Sequence, residues 1–217
     1  MALEKFFKSH YGYTVKKLVN KEATQAEILS TAKEIGMKLG PNDAFLIHIG
    51  GHGMIEEERE LPGVLKGYYV PHDATVETLE KPGKHDWQKS VIEMGEFTKL
   101  LTEFSAGHVV LLADCCNSGF AARTFTRGGI NRRDLSLSVM NPSCSVVTST
   151  VSKDPVSGNT FTPAIIRALG GSQAKSLCEV VVEVKKDVAD AGLRPQHAQF
   201  RKDGGDFVFI PLAVAQR

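Results

Sequence analysis

The chain has 217 residues, 42% of them hydrophobic and 24% charged, a composition typical of one ordinary globular domain with its own core. Its 26 Lys and Arg nearly balance 25 Asp and Glu, which argues against binding nucleic acid or an anionic membrane through overall charge. Since no run approaches the roughly 18 apolar residues of a membrane span and the first residues lack a signal-peptide core, we expect a cytoplasmic protein with no membrane partner.

The first part of the chain alternates strand and helix patterns. Residues 13–19 have the pattern of a short strand. Thr24, followed three residues later by Glu27, predicts a capping box that opens an amphipathic helix, and Gly40 ends this helix. The apolar run at residues 44–49 then predicts a strand that is covered on both faces.

The same alternation continues to the end of the chain. It predicts an α/β domain with a mostly parallel sheet and helices on both faces, and such sheets bind ligands outside the carboxyl ends of their strands. The later predicted elements are helices at residues 97–104, 162–169 and 177–191 and strands at residues 108–113, 143–148 and 206–211.

Polar motifs follow two of the predicted strands. The strand at residues 44–49 leads into the sequence GGHG, in which the glycines predict tight turns beside an unshielded imidazole, that of His52. The strand at residues 108–113 leads into DCCNSG, which contains Cys116. Because a thiol nucleophile needs a base to accept its proton, the sequence predicts His52 and Cys116 as a base and nucleophile at one edge of the sheet.

The four cysteines are too few for a disulfide scaffold in a chain of this length, so we interpret them as free thiols. Strand alternation predicts that Cys115 points away from Cys116 and is a small buried side chain. Cys144 and Cys178 are assigned to the core.

Two less specific interpretations accompany these motifs. His48 alternates with apolar neighbours inside a strand, which favours a buried, hydrogen-bonded histidine. A zinc site is the other alternative, although adjacent cysteines do not offer the usual Cys-x-x-Cys chelation. Its ligands would be His48, His52, Cys115 and Cys116.

Taken together, GGHG after one apolar strand and DCCNSG after another resemble the caspase-like cysteine peptidases, and more closely the metacaspase branch. Further similar pieces follow in the family's order: GYYVPHDA from Gly67, SGNTFTPAIIRAL from Ser157 and QHAQFRKDGGDFVFIP from Gln196. The resemblance covers most of the chain and implies a caspase–hemoglobinase fold.

The resemblance implies a role for each matching residue. His52 matches the family's catalytic base and Cys116 its nucleophile, and the backbone amides of Gly53 and Cys116 match its oxyanion donors. Asp114 matches the carboxylate that binds a basic side chain before the scissile bond. A cysteine endopeptidase that cleaves after Arg or Lys is therefore implied, with proteins or peptides as substrates.

The resemblance also implies a division of the single domain, residues 1–217. Residues 1–119 match the family's large part and residues 143–217 its small part, while residues 120–142 form a basic loop between them. This loop either keeps the surface solvated or is a target for self-cleavage. Its arginines are Arg123, Arg127, Arg132 and Arg133.

The chain departs from the family pattern in its first strand, which has no counterpart here. The resemblance therefore implies that another chain or an upstream segment supplies this strand. No organic cofactor or metal is implied, and the family's calcium-binding acidic residues are not convincingly matched. Two alternative functions stay open: an idle caspase-like scaffold for protein recruitment, and caspase-type cleavage after Asp.

Overall fold

The computed structural model describes residues 2–57, 63–74, 90–123, 135–150, 160–200 and 205–215. A six-stranded sheet with the order β3-β2-β1-β4-β5-β7 forms the centre of the described molecule, and a two-stranded sheet pairs β6 with β8. The strands are β1 (Ala44–Glu57), β2 (Leu65–Val70), β3 (Ile92–Glu93), β4 (His108–Cys115), β5 (Ser143–Thr148), β6 (Lys175–Ser176), β7 (Gln196–Gln199) and β8 (Val208–Phe209).

Helices connect most of these strands, and none of the described helices is long and apolar enough to cross a membrane. They are α1 (Ala2–Tyr11), α2 (Gln25–Lys38), α3 (Met94–Thr102), α4 (Phe120–Arg123), α5 (Leu135–Met140), α6 (Phe161–Leu169), α7 (Leu177–Asp187) and α8 (Leu212–Ala215).

Three adjacent strands of the central sheet are parallel. Strands β1, β4 and β5 run in one direction. Strand β2 pairs antiparallel with β1, β7 pairs antiparallel with β5, and β3 pairs antiparallel with β2 at the far side of the sheet. The carboxyl end of β4 consequently lies beside Gly51 of β1, where the two polar motifs meet.

Each face of the sheet carries its own core. Val110 and Leu112 of β4 pack with side chains of α1, α6 and α7, whereas Val109 and Leu111 pack with side chains of α2, α3 and α4. Successive residues of a strand point to opposite faces, so a run buried on both sides must be apolar throughout. The predicted α/β fold with helices on both faces is confirmed.

Side-chain caps begin two of the helices. The Thr24 hydroxyl accepts a hydrogen bond from the Glu27 amide at the start of α2, as predicted, but the Glu27 carboxylate accepts from Thr31. Ser176 and Glu179 form a complete capping box at the start of α7. Each cap satisfies backbone amides that lack a partner within the helix.

Two predicted strands do not join the central sheet. Residues 13–19 are not a strand, because no neighbouring strand of the described chain pairs with them. The prediction for residues 206–211 is wrong in extent and placement: only Val208 and Phe209 form a strand, and they pair with β6 outside the central sheet. An apolar alternation does not reveal whether a pairing partner exists.

The predicted end of the first central strand at residue 49, directly before GGHG, is wrong. Instead β1 continues to Glu57, because its second half, from His52 onward, pairs with β2. Glycine weakens a strand without forbidding it, and the antiparallel partner holds this segment extended.

The segment at residues 120–142 was predicted as a loop and is helical at both described ends, in α4 and α5. Phe120, Ala121 and Ala122 are buried and anchor α4 beneath the sheet edge. Arg123 ends α4. Arg127, Arg132 and Arg133 lie outside the described residues.

Candidate active site

The register of two parallel strands brings the two polar motifs together. Gly50 of β1 lies opposite Asp114 of β4, and Gly51 lies opposite Cys115. This register ends there, and His52 and Cys116 are the residues that directly follow its last pair. Adjacent strands are about 4.8 Å apart, so the predicted base and nucleophile stand on neighbouring backbones.

A close backbone contact between Gly53 and Cys116 fixes this juxtaposition. A Cβ atom placed on Gly53 would lie 2.0 Å from the Cys116 carbonyl oxygen, far inside any real contact distance. Only glycine allows the segment after His52 to approach the cysteine backbone so closely. The resemblance implies an oxyanion role for Gly53, and the structure adds this steric one.

The two adjacent cysteines have different surroundings. Cys115 is 4% exposed and packs in the core on the α2, α3 and α4 face, as predicted from strand alternation. Its burial raises the pKa of the thiol, and the neighbouring Cys116 and Asp114 raise it further. Cys116 is half-buried at the sheet edge. Of the adjacent pair, only Cys116 is accessible to a substrate.

The turn after Cys116 is anchored from both sides. Asn117 adopts a left-handed backbone conformation with φ 58°, which Asn tolerates better than most residues. Its side-chain Nδ2 donates to the carbonyl of Gly53 at 3.3 Å. The Gly119 amide donates to the Thr150 carbonyl at 3.0 Å. These bonds hold the turn between the second half of β1 and the segment that follows β5.

The side chain of His52 is exposed to solvent. Within the described part of the chain, its ring makes no hydrogen bond and does not bond to Cys116. Alternation along β1 and β4 places the side chains of His52, Asp114 and Cys116 on one face of the sheet. The structure therefore places the predicted pair on neighbouring backbones and leaves their side chains unbonded.

Asp114 contacts the start of α6. Its Oδ2 accepts hydrogen bonds from the Thr162 amide at 3.2 Å and from the Thr162 hydroxyl at 2.5 Å. The same hydroxyl lies 2.9 Å from Nε2 of His48. The predicted hydrogen bond of His48 is confirmed, and the residue is half-buried rather than fully buried. The sequence analysis assigned no role to Thr162, which lies 48 residues from Asp114 and carries no spacing signal.

The structure also describes the remaining cysteines and the residues of the alternative zinc site. All four thiols are free and Cys144 is in the core, as predicted, but Cys178 is half-buried at the start of α7, outside the core clusters. Among the described residues, no three His, Cys, Asp or Glu side chains are grouped to hold a metal ion. The alternative zinc set also fails geometrically, because Cys115 points to the face opposite His48.

Comparison with known proteins supports the fold. No protein-family model matches the chain, and no curated protein matches it. Among solved structures, the chain is similar to the crystal structure of protein GSU0716 from Geobacter sulfurreducens, with a TM-score of 0.54 and 17% sequence identity. The match covers 91% of this chain and 78% of that one. At this identity the likeness shows the fold alone.

Proposed function

We propose that the chain is a cysteine endopeptidase of the caspase-like type, with Cys116 as nucleophile and His52 as base. The observation that carries the proposal is the register of β1 and β4, which ends with Gly51 opposite Cys115, so that the residues that follow, His52 and Cys116, lie on neighbouring backbones. The resemblance of the GGHG and DCCNSG motifs to the metacaspases supports the same assignment.

The proposed reaction is an acyl transfer through the thiol. His52 accepts the proton of Cys116, and the sulfur attacks the scissile carbonyl carbon to form a carbon–sulfur bond. The amides of Gly53 and Cys116 stabilise the oxyanion. The carbon–nitrogen bond then breaks as His52 returns the proton to the leaving amine, and water hydrolyses the acyl-enzyme.

The proposed residue preference rests on Asp114. Its carboxylate is half-buried and lies on the face that carries His52 and Cys116. A carboxylate in this position attracts the guanidinium of Arg or the ammonium of Lys and repels an acidic side chain. Cleavage after Arg or Lys is therefore favoured over the alternative of cleavage after Asp.

The proposal includes a strand supplied by another chain or an upstream segment. Residues 44–51 of β1 pair along one side of the strand with β4. Along its other side, β1 pairs with β2 only from His52 onward. Side chains at residues 45–49 are only half-buried, whereas those of Val109 to Ala113 on β4 are fully buried. An open edge of this kind can accept a further strand.

Hydrogen exchange read by mass spectrometry tests the open edge. In the isolated chain, amides of residues 44–50 should exchange faster than those of β4, because no described strand covers that edge. A partner or longer chain that supplies the strand should protect them. Equal protection of both segments in a monomeric preparation would contradict this part of the proposal.

An activated thiol suits a reducing compartment, so we also place the activity in the cytoplasm. The competing function is a recruitment scaffold without catalysis. It is favoured by one observation, the lack of a hydrogen bond between His52 and Cys116 among the described contacts. Such bonds are often long before substrate binds, so this observation does not displace the peptidase proposal.

Hydrolysis of paired fluorogenic peptides ending in Arg or in Asp tests the function. We expect cleavage of the Arg peptide, its loss in Cys116→Ala and its retention in the matched control Cys115→Ala, since Cys115 lies on the other face. Asp114→Asn should lower kcat/KM for the Arg peptide by at least tenfold. Each assay is run with and without calcium.

Activity that survives Cys116→Ala would overturn the assignment of the nucleophile. Activity on the Asp peptide alone would overturn the role of Asp114. If a preparation in which a further strand covers the open side of β1 cleaves neither peptide, the recruitment scaffold becomes the better-supported function.

A further inference from the structure

Among the described residues, the carboxylate of Asp114 has donors at one oxygen and none at the other. Both Thr162 donors, the amide and the hydroxyl, reach Oδ2. No donor of the described chain reaches Oδ1. The carboxylate is thus oriented by the first turn of α6, whose amides lack partners within the helix.

Counting protons gives the direction of the hydrogen bonds. The Thr162 hydroxyl has a single proton, and an ionised carboxylate can only accept, so this proton goes to Asp114. The hydroxyl oxygen must then accept from His48, whose Nε2 lies 2.9 Å away. The row therefore runs His48 to Thr162 to Asp114, with every donor directed toward the carboxylate.

The surroundings of His48 keep this direction in place. Burial lowers the pKa of the imidazole, and the nearby Asp114 opposes that effect in part. The lowered pKa favours the neutral ring, and the proton count assigns the donor role to Nε2, the atom that faces Thr162. Strand geometry supports this arrangement, because His48 and Asp114 lie on the same face of β1 and β4.

We propose that Thr162 and His48 are positioning residues that fix Asp114 as a receptor for a guanidinium or ammonium group. The inference rests on the proposed function, since it concerns the carboxylate that would bind the side chain before the scissile bond. Oδ2 is occupied by Thr162, and Oδ1 is left to meet the cation. A held carboxylate loses less rotational freedom when the cation binds than a free one does.

Calorimetric binding of benzamidine, a small amidinium cation, tests the inference without requiring catalysis. We expect wild type and Thr162→Ser to bind equally, because serine retains the hydroxyl. Thr162→Val should bind about tenfold more weakly, and Asp114→Asn should show no binding. Thr160→Val is the matched control. Thr160 caps the same helix without a side-chain hydrogen bond, so this variant should bind benzamidine as tightly as wild type.

His48 provides a second pair of variants that does not touch Asp114. His48→Phe removes the donor to Thr162, whereas His48→Gln can keep one. We expect benzamidine binding several-fold weaker in His48→Phe and nearer to wild type in His48→Gln. If Thr162→Val does not fold, as judged by circular dichroism, this pair decides the question.

Kinetics separate positioning from general structural damage. For Thr162→Val, kcat/KM should fall for a peptide ending in Arg and stay unchanged for one ending in Ala, and alkylation of Cys116 by iodoacetamide should keep its rate. Equal losses on both peptides would show structural damage and overturn the positioning role.

Several outcomes overturn the inference directly: benzamidine that binds Thr162→Val and His48→Phe as tightly as wild type, benzamidine that does not bind wild type, or binding that persists in Asp114→Asn. Failure of the proposed function looks different. In that case the binding series follows the expected order, yet neither peptide is cleaved and Cys116 is unreactive.

Discussion

Single residues explain why one of two adjacent cysteines is the candidate nucleophile. The last residue of β4, Cys115, points into the core, where burial raises the pKa of its thiol. Cys116 follows it at the accessible edge. Strand alternation made this difference predictable from sequence, because DCC follows directly on a continuous apolar strand.

The close contact of Gly53 leads to a prediction at the same scale. In Gly53→Ala the new methyl group would meet the Cys116 carbonyl oxygen, so the two backbones must separate. We expect a loss of about 1–3 kcal/mol in the free energy of unfolding and a drop in peptide hydrolysis of at least tenfold. Urea unfolding and the Arg-peptide assay measure the two effects.

The control for this substitution is Gly171→Ala. A Cβ atom at Gly171 meets nothing within 4 Å, and its backbone is not left-handed, so stability and activity should stay near wild type. A Gly53→Ala protein that matches Gly171→Ala in both measurements would contradict the steric role of Gly53.

At the scale of elements, some boundaries could be predicted and others could not. The strand at Ser143–Thr148 and the start of α2 at its Thr24 cap were predictable, since local pattern and capping chemistry decide them. Residues 13–19 were not, because a strand also needs a partner. The extension of β1 through GGHG likewise depends on β2, whose pairing is not a local property.

The contact between Asp114 and Thr162 shows the same limit within the site. His48 and Thr162 are 114 residues apart, and helix α6 approaches the end of β4 only in the folded chain. A buried histidine could be expected from its apolar neighbours in the strand. The identity of its partner could not, because no spacing rule links a strand to the first turn of a distant helix.

Self-cleavage is a prediction for the segment after α4. Arg123 ends that helix seven residues after Cys116, and three further arginines follow it in sequence. If the enzyme cuts after Arg, incubation of an active preparation should yield fragments of about 13 and 11 kDa on denaturing gels. The fragments should be missing in Cys116→Ala and in a variant with all four arginines changed to Gln.

Intact chain in a preparation that cleaves the Arg peptide would contradict self-processing. Fragments of the same size in Cys116→Ala would point to a contaminating protease.

The folded molecule contains imidazole rings whose burial disfavours protonation. Burial lowers the pKa of His48 and of His197. His197 lies on β7, and both of its ring nitrogens are buried with no hydrogen-bond partner in the described structure. The charged groups that affect it are Asp206, which raises its pKa, and Lys185, which lowers it.

These shifts predict how stability depends on pH. Below the ordinary histidine pKa of 6.5, the unfolded chain takes up protons at His48 and His197 that the folded chain resists. Their contribution to stability is therefore full above pH 6.5 and is lost as the pH falls through the lowered folded values. We expect the free energy of unfolding, measured in urea, to decrease from about pH 7 to about pH 5.

Replacing His197 isolates its share of this effect. His197→Phe should flatten the decrease, because the uncharged ring cannot take up a proton in either state. His72→Gln, at an exposed position, should leave the decrease as it is. A pH dependence identical in wild type and His197→Phe would rule out a role for His197.

The central claim is that His52 activates Cys116, and the rate of site-specific alkylation at neutral pH tests it most directly. Mass spectrometry after a short exposure to iodoacetamide reports each thiol separately, with half-buried Cys178 as the internal reference. We predict that Cys116 reacts at least tenfold faster than Cys178 and that His52→Ala removes this advantage while Cys178 keeps its rate. A Cys116 that reacts no faster than Cys178, or as fast without His52 as with it, would contradict the account.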